Sequence, residues 1–493
     1  MAAAPRRVFV VSDEFRGECE VVRSQPSGKD RWMAEESYDL VVLGSGTGGY
    51  AAALRAAVLG KKVALVERDD RLGGTCLLRG CIPSKALLQS ASVMDHVNRS
   101  EEWGINASGQ VDWPKVLETE QHIVEKKVAG LTGLIKARKI DVIKGTGKLM
   151  GGPALDVDGR TVSAPDVVLA TGSYPRLLPE VVVSDHVITS DQALVLDHLP
   201  KSIVIIGAGA IGMEFATVHR SFGVDVTVVE ALPRVVPLED EDISREAAKA
   251  FKKRGITIHT GVMVSQVAEA GDHAEVTFAA EGKDPQTVSA EICLVAIGRG
   301  PNSQGIGLEE AGVELDRNYV KVDATLATTV PHVWAVGDLA ATPLQLAHSS
   351  FLEGINVAER IFGLNPPEID YAGIPRVTFS QPEISSVGLT EAQAKDRGYE
   401  TETKKFQFSV LAKANIEGEG GIVKVVAEKG SKQVLGVHMI GPHVTELIGE
   451  ASLMYNWEAT ADDIAQIIHP HPTLSEALGE VFLSLDGKPL HSA

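Results

Sequence analysis

The sequence predicts an α/β chain in which one strand–turn–helix–strand unit is written twice, followed by a smaller α+β domain. Three observations predict it. Residues 38–68 (YDLVVLGSGTGGYAAALRAAVLGKKVALVER) and 202–230 (SIVIIGAGAIGMEFATVHRSFGVDVTVVE) are near-repeats about one domain apart. Each begins with a short apolar run bounded by glycine, the pattern of a strand buried on both faces. Each continues through a helical stretch and a glycine near the helix end (Gly60, Gly223) to a second apolar strand. The second observation is length, since 493 residues exceed what one hydrophobic core supports. The third is a change of texture near residue 372. Beyond it, GIVKVVAEK (421–429) and VLGVHMIG (434–441) alternate as antiparallel strands do, and a helix is predicted from Val444 to Tyr455.

Composition narrows the function classes. Lys and Arg number 47 against 66 for Asp and Glu, a formal charge of −19, and such a polyanion gains nothing by counterion release from a phosphate backbone. Nucleic acid is therefore not an expected partner. Cys19, Cys76, Cys81 and Cys293 are too few and too scattered for a secreted disulfide scaffold. No stretch approaches the roughly 20 apolar residues that span a bilayer, so no membrane association is expected and the chain reads as cytoplasmic. Residues 1–36 lack an apolar signal core, and Asp13, Glu14, Glu18 and Glu20 argue against an acid-poor transit peptide. That segment reads as a poorly ordered N-terminal extension.

Gly44, Gly46 and Gly49 form one G-x-G-x-x-G turn, and Gly207, Gly209 and Gly212 form a second, each between a strand and a helix. The first glycine permits the tight turn, the second lets a pyrophosphate approach, and the third allows close helix–strand packing. The anion then meets free N–H groups at a helix N-terminus. A lone turn of this kind is weak evidence, because glycine also joins strands to helices for packing alone. Here each is completed by an acid at the end of the second strand. Glu67 and Glu230 each stand 23 positions beyond the first glycine (44 to 67, 207 to 230), placed to accept hydrogen bonds from a ribose hydroxyl. Two complete fingerprints point to two dinucleotides in two Rossmann-like domains. Glu230 favours NAD over NADP, because a carboxylate repels a 2′-phosphate and Arg234 alone is weak counter-evidence. The bland alternative for Glu230 is a solvated charge at a strand end.

Directly after the first unit comes GGTCLLRGCIPSKALL, residues 73–88, with Cys76 and Cys81 in a glycine-rich entry to a helix. That arrangement can close a small disulfide and lower a thiolate pKa through the helix N-terminus. A metal site would want three or four ligands, and no second cysteine pair supplies them. In order and spacing of motifs, residues 37–485 resemble the class I pyridine nucleotide–disulfide oxidoreductases, and within them the dihydrolipoamide dehydrogenase branch.

The resemblance implies an FAD domain at 37–183 with a return at 314–371, an NAD domain at 184–313, and a C-terminal α+β dimerisation domain at 372–493. It implies Cys76 as the interchange thiol and Cys81 as the thiol against the flavin. Lys85 would sit near the flavin, paired with Glu214, although both could be ordinary helix-surface charges. Thr171 and Gly172 of ATGS, Gly298, Asp338 of WAVGD and Ala347 are implied as further cofactor contacts. Asp338 would hold the ribitol chain, with a simple turn residue as the alternative. One departure is visible: Leu78 and Arg79 stand where many relatives carry Asn and a small apolar residue.

A dithiol must lose protons before it attacks a disulfide, so a base is needed near neutral pH. The segment HPHPTLSEA (469–477) offers His469 and His471. The resemblance makes His471 the base and Glu476 the residue that orients it, reaching the active site of the other subunit of a homodimer. Thr473-x-x-Glu476 is also a capping box, which would explain Glu476 without chemistry. The activity implied is NAD-dependent oxidation of a dihydrolipoyl group on an acyltransferase or carrier protein, serving a 2-oxoacid dehydrogenase or glycine cleavage complex. Glutathione-type reductases tend to use NADP, which Glu230 disfavours. Mercuric reductases commonly carry an extra C-terminal cysteine pair, which LDGKPLHSA lacks. A quinone reductase or transhydrogenase without the dithiol is disfavoured by the presence of both cysteines, and a mainly docking role as a complex subunit stays open.

Overall fold

Because Leu40–Leu43 is apolar at every position, both faces of the strand must be covered, and all four residues are buried. The computed structural model describes residues 37–491, so the expectation for residues 1–36 lies outside the described residues. Leu40–Leu43 is the centre of a five-stranded parallel sheet. Val63–Glu67 and then Asp141–Lys144 lie to one side, and Asp166–Leu169 and then Val333–Ala335 to the other. A second parallel sheet repeats this plan. Ser202–Ile206 is central, with Asp225–Glu230 and Thr257–Thr260 on one side and Ile292–Val295 and Val187–Thr189 on the other.

Each sheet borrows its outermost strand from beyond its own βαβ run. Val333–Ala335 returns to the first sheet after the second is complete, and Val187–Thr189 joins the second ahead of its central strand. Each sheet is also accompanied by a three-stranded antiparallel meander, at Gly147–Leu149, Ala154–Val157 and Arg160–Ser163 in the first case. In the second case the strands are Val262–Glu269, Ala274–Ala280 and Gln286–Ala290. The helices that follow the central strands, Thr47–Val58 and Ala210–Ser221, both run 12 residues. Both end in a left-handed glycine, Gly60 at φ +79° and Gly223 at φ +88°, which turns the chain back into the next strand.

Residues beyond 372 form a five-stranded antiparallel sheet in the order Arg376–Thr378, Glu383–Gly388, Val434–Gly441, Ile422–Glu428, Thr401–Gln407. The helix anticipated at Val444 is present as Val444–Asn456. Alternation in the two inner strands suggests one solvated face, yet Val434–Gly441 is buried throughout and Ile422–Glu428 at all but its last residue. The reason is a second cover. Helices Val444–Asn456 and Glu476–Leu485 pack on this sheet, and so does Glu241–Lys253 of the second nucleotide fold. The polar members of the alternation are therefore enclosed. Lys424, 3% exposed, places Nζ 2.9 Å from carboxylate oxygens of Asp240, Asp242 and Glu391. Burial would lower its pKa, but the three carboxylates outweigh burial and hold it above the ordinary lysine value. Its cross-strand neighbour His438 is fully buried, with Nε2 2.9 Å from the Leu389 carbonyl oxygen. Among the described residues no helix is long and apolar enough to cross a membrane.

Candidate active site

The two glycine loops have matching steric limits. A Cβ on Gly44 would lie 2.4 Å from the Ala170 carbonyl oxygen, and one on Gly207 2.4 Å from that of Ala296, at φ +100° and +109°. On Gly49 or Gly212 it would lie 1.9 Å from the carbonyl oxygen of the loop's own first glycine. On Gly46 or Gly209 it would meet nothing within 4 Å. The outer glycines thus close the turn and seat the helix, while the middle one leaves an open approach over helix N–H groups. That is the cradle a dinucleotide pyrophosphate fits.

Glu67 and Glu230 brace these loops. Glu67 Oε2 accepts the Ser45 N–H at 2.8 Å and its hydroxyl at 2.6 Å, while Oε1 accepts the Asp69 N–H at 2.8 Å. Glu230 accepts the Ala208 N–H at 2.6 Å and the Leu232 N–H at 2.7 Å. Both carboxylates are buried, so neither is a solvated strand-end charge. Each oxygen retains acceptor capacity for a ribose hydroxyl.

A cavity of about 640 Å³ opens from the first loop. Gly44, Gly46 and Glu67 line one part of it, and Thr171, Gly172, Asp338 and Ala347 another. Cys76, Cys81, Lys85 and Glu214 line it as well, so the thiols and the first dinucleotide loop share one space. Gly49 is buried in helix packing, and Gly298, at φ +110°, is a turn residue whose carbonyl accepts the Arg176 N–H. Neither borders the cavity, nor do Gly207, Gly209, Gly212 and Glu230, although Ala210 and Ile211 of the second loop's helix do.

Cys76 lies in the short helix Gly74–Arg79, and Cys81 opens the next helix, Cys81–Asn98. A Cβ on Gly74 would lie 2.6 Å from the Gly46 Cα, so the cysteine loop sits directly on the glycine loop. The two thiols are free and half-buried, and their ionisation is coupled. Interaction with the Cys76 thiol, with help from Lys85, lowers the Cys81 pKa to about 7 against the effect of burial. Interaction with Cys81, joined by burial, pushes Cys76 well above the ordinary thiol value. In the reduced pair the thiolate therefore belongs on Cys81 and the proton on Cys76.

Lys85 Nζ lies 2.7 and 3.0 Å from the two Glu214 oxygens and 4.7 Å from the centre of the Phe379 ring. Glu214 is buried and also accepts the Phe379 N–H at 2.9 Å. These are not helix-surface charges. They pin the cysteine helix to helix Ala210–Ser221 of the second nucleotide fold.

His471 and Glu476 lie outside the cavity. His471 Nδ1 is 2.8 Å from Glu476 Oε1, while Glu476 Oε2 accepts the Thr473 N–H at 2.8 Å. Glu476 thus completes half of a capping box and orients the imidazole as well. The Thr473 hydroxyl is turned instead to the Pro470 carbonyl at 2.7 Å. Burial separates the two histidines. The His471 side chain is 73% exposed, whereas that of His469 is 8% exposed, 2.8 Å from Glu450 and beneath Gly479. With Nδ1 held by the carboxylate, His471 presents Nε2 outward from the chain.

Residues 38–354 match the family described as pyridine nucleotide-disulphide oxidoreductase, and residues 374–482 match its dimerisation domain. The chain belongs to the pyridine nucleotide-disulphide oxidoreductases. A dihydrolipoyl dehydrogenase of Bacillus subtilis (strain 168) is 44% identical over 93% of this chain and all of the relative. One from Mycobacterium tuberculosis (strain ATCC 25618 / H37Rv) is 43% identical, covering 91% of this chain and 98% of the relative. A crystal structure of LpdA from Mycobacterium tuberculosis superposes with a TM-score of 0.83 at 27% identity, covering 90% of this chain and 99% of that one.

Within this pyridine nucleotide-disulphide oxidoreductase, three residues bear on the cavity to which the motifs assign no role, although Ser173 closes ATGS. Arg299 donates from Nε to the Ser173 hydroxyl at 2.7 Å and from a terminal nitrogen to the Ser173 carbonyl at 2.8 Å. Ser173 in turn donates to Asp338 at 2.5 Å, so Asp338 is held in a network rather than serving only as a turn residue. Glu353 is fully buried and accepts the Gly337 N–H at 2.6 Å and the Tyr371 hydroxyl at 2.9 Å, with burial pushing its pKa up to about 7. Ser173 and Arg299 directly follow Gly172 and Gly298, so adjacency was an available signal. Glu353 is a single acid on helix Ala347–Ile361 and carries no local signal.

Proposed function

We infer that this chain oxidises dihydrolipoyl groups with NAD⁺, using Cys76 and Cys81 as its redox pair and FAD as its prosthetic group. The observation that carries the reading is that both sulfurs line the cavity of the first glycine loop, with the thiolate favoured on Cys81. The dihydrolipoyl dehydrogenases related to it along nearly their whole length support the same conclusion.

In the oxidised enzyme a substrate thiolate attacks Cys76, forming a mixed disulfide and releasing Cys81 as a thiolate. The partner subunit's His471 takes the proton of the second substrate thiol, and that thiolate attacks the substrate sulfur of the mixed disulfide. The cyclic product disulfide forms and Cys76 leaves as a thiolate, taking back the proton held by the partner subunit's His471, so that the reduced pair is left with a thiol on Cys76 and a thiolate on Cys81. FAD, when bound, supplies the two-electron relay from this dithiol to NAD⁺. Gly44, Gly46 and Glu67 would hold its pyrophosphate and ribose. Thr171, Gly172, Asp338 and Ala347 line the space for the rest. Gly207, Gly209, Gly212 and Glu230 would do the same work for NAD, and Gly298 is a turn residue following the strand Ile292–Val295. Lys85 and Glu214 keep the cysteine helix in register with the second fold.

The terminal domain, from about residue 372, forms the homodimer, so the exposed His471 completes the site of the opposite subunit. The reducing partner is a dihydrolipoyl group on an acyltransferase or carrier protein. Anaerobic titration with dihydrolipoamide, NADH and NADPH tests the reading. Dithiol should reduce the flavin with a long-wavelength thiolate-to-flavin band, and NADH should outperform NADPH. No reduction by the dithiol would turn the assignment to a quinone reductase, and NADPH preference to a glutathione-type enzyme.

A further inference from the structure

Of the four residues between the cysteines only Arg79 carries a charge, and it faces the cavity. On the short helix Gly74–Arg79 and its Gly80 cap, the cavity is lined by Gly74, Thr75, Cys76, Arg79 and Gly80, with Cys76, Arg79 and Gly80 falling on one i, i+3, i+4 face. Leu77 and Leu78 lie off that face. Position 79 therefore adds a guanidinium to the lining, where a small apolar residue would add none.

Arg79 is ion-paired with Asp69, two residues beyond Glu67 at the glycine-loop end of the site. Asp69 is itself set by the loop, because its N–H donates to Glu67 Oε1. The guanidinium is thus tied to the part of the cavity built around Gly44 and Gly46. The charge balance there favours a cation. Five carboxylates and four basic side chains line the cavity, so it is net negative before a dinucleotide adds the two charges of its pyrophosphate. Two of the four bases are committed elsewhere, Lys85 to Glu214 and Arg299 to Ser173. Arg79 keeps 39% of its side chain exposed and has donors beyond the one given to Asp69.

We propose that Arg79 is an added anion-binding residue for FAD, supplying a side-chain cation to a pyrophosphate otherwise held by backbone N–H groups. Asp69 aims the guanidinium, and the planar fork of donors suits a phosphate oxygen. The proposal rests on the assignment of FAD to the first glycine loop.

The test uses apo-dimer stripped of flavin, with FAD affinity read from quenching of flavin fluorescence at several salt concentrations. Arg79→Ala should weaken FAD by roughly tenfold or more and flatten the salt dependence of Kd, as loss of a charge-assisted contact requires. Arg79→Lys should fall between Arg79→Ala and the parent. Leu78→Ala, which alters the same loop off the cavity face, should bind FAD like the parent. The proposal is overturned if Arg79→Ala binds within twofold of the parent, or if Leu78→Ala weakens FAD equally. Neither readout involves dithiol turnover, so failure of the catalytic reading would appear in the dihydrolipoamide titration and not here.

Discussion

The two glycine loops are alike to a tenth of an ångström in the clearances that matter, yet they open onto different surroundings. The first is roofed by the cysteine loop, with Gly74 against Gly46, and leads into a cavity of about 640 Å³. The second loop's three glycines do not line that cavity, and its acid is braced by two backbone N–H groups where Glu67 also takes the Ser45 hydroxyl. The difference teaches that a repeated fingerprint specifies a backbone cradle, while the wall built around it decides whether the occupant is enclosed or exchanged. A retained prosthetic group suits the first loop, and a diffusible nicotinamide suits the second.

The widest break between the two halves should come from Cys81→Ser. Dihydrolipoamide oxidation is expected to fall by about 10³-fold or more, while NADH reduction of an artificial acceptor through the flavin stays within a few-fold. Equal loss in both assays would mean that the halves do not divide the labour in this way. Next in size is a pair in the second loop. Gly212→Ala should lose NADH binding and lower stability in urea by about 1–3 kcal/mol, because its Cβ would meet the Gly207 carbonyl oxygen at 1.9 Å. Gly209→Ala, with open space for its Cβ, should leave the urea midpoint in place and weaken NADH alone.

Glu230→Ala should then cut the preference for NADH over NADPH by roughly ten- to a hundredfold without changing flavin content. Glu67→Ala, its counterpart, should weaken FAD and leave nicotinamide preference alone. If the two variants gave the same phenotype, the loops would not hold different dinucleotides. The smallest effect concerns pH. With Cys81 at about 7, the long-wavelength band of the two-electron-reduced enzyme should grow as pH rises through that value, since the thiolate forms on the alkaline side. A band that stays level across that interval would place the thiolate elsewhere.

What sequence alone makes legible here is local. The glycine turns, the acids 23 positions on, and the cysteine pair are each set by a few consecutive residues and a short covalent span. The walls are assembled from distant segments, so they leave no such trace. Ser173 meets Arg299 across 126 positions, and Gly337 meets a buried acid on the following helix. His469 and His471 cannot be ranked by spacing, because two imidazoles two positions apart differ only in what covers them. Lys424 shows the opposite limit. Its strand alternates as a half-solvated one does, and no pattern within the strand reveals that another domain packs over the polar face.

That enclosed lysine makes the seam between the second nucleotide fold and the terminal sheet vulnerable to acid. Burial drives Asp240 and Asp242 toward neutrality and Lys424 more than reverses it, while Lys395 and then Lys424 hold Glu391 down. All three carboxyls are depressed in the folded state. Their stabilisation is complete above the usual carboxylate range near 4 and disappears as pH falls through the lower folded values. Acidification would strand an ammonium ion in a dry crevice beside His438, so souring the solution should unzip this junction ahead of the parallel sheets.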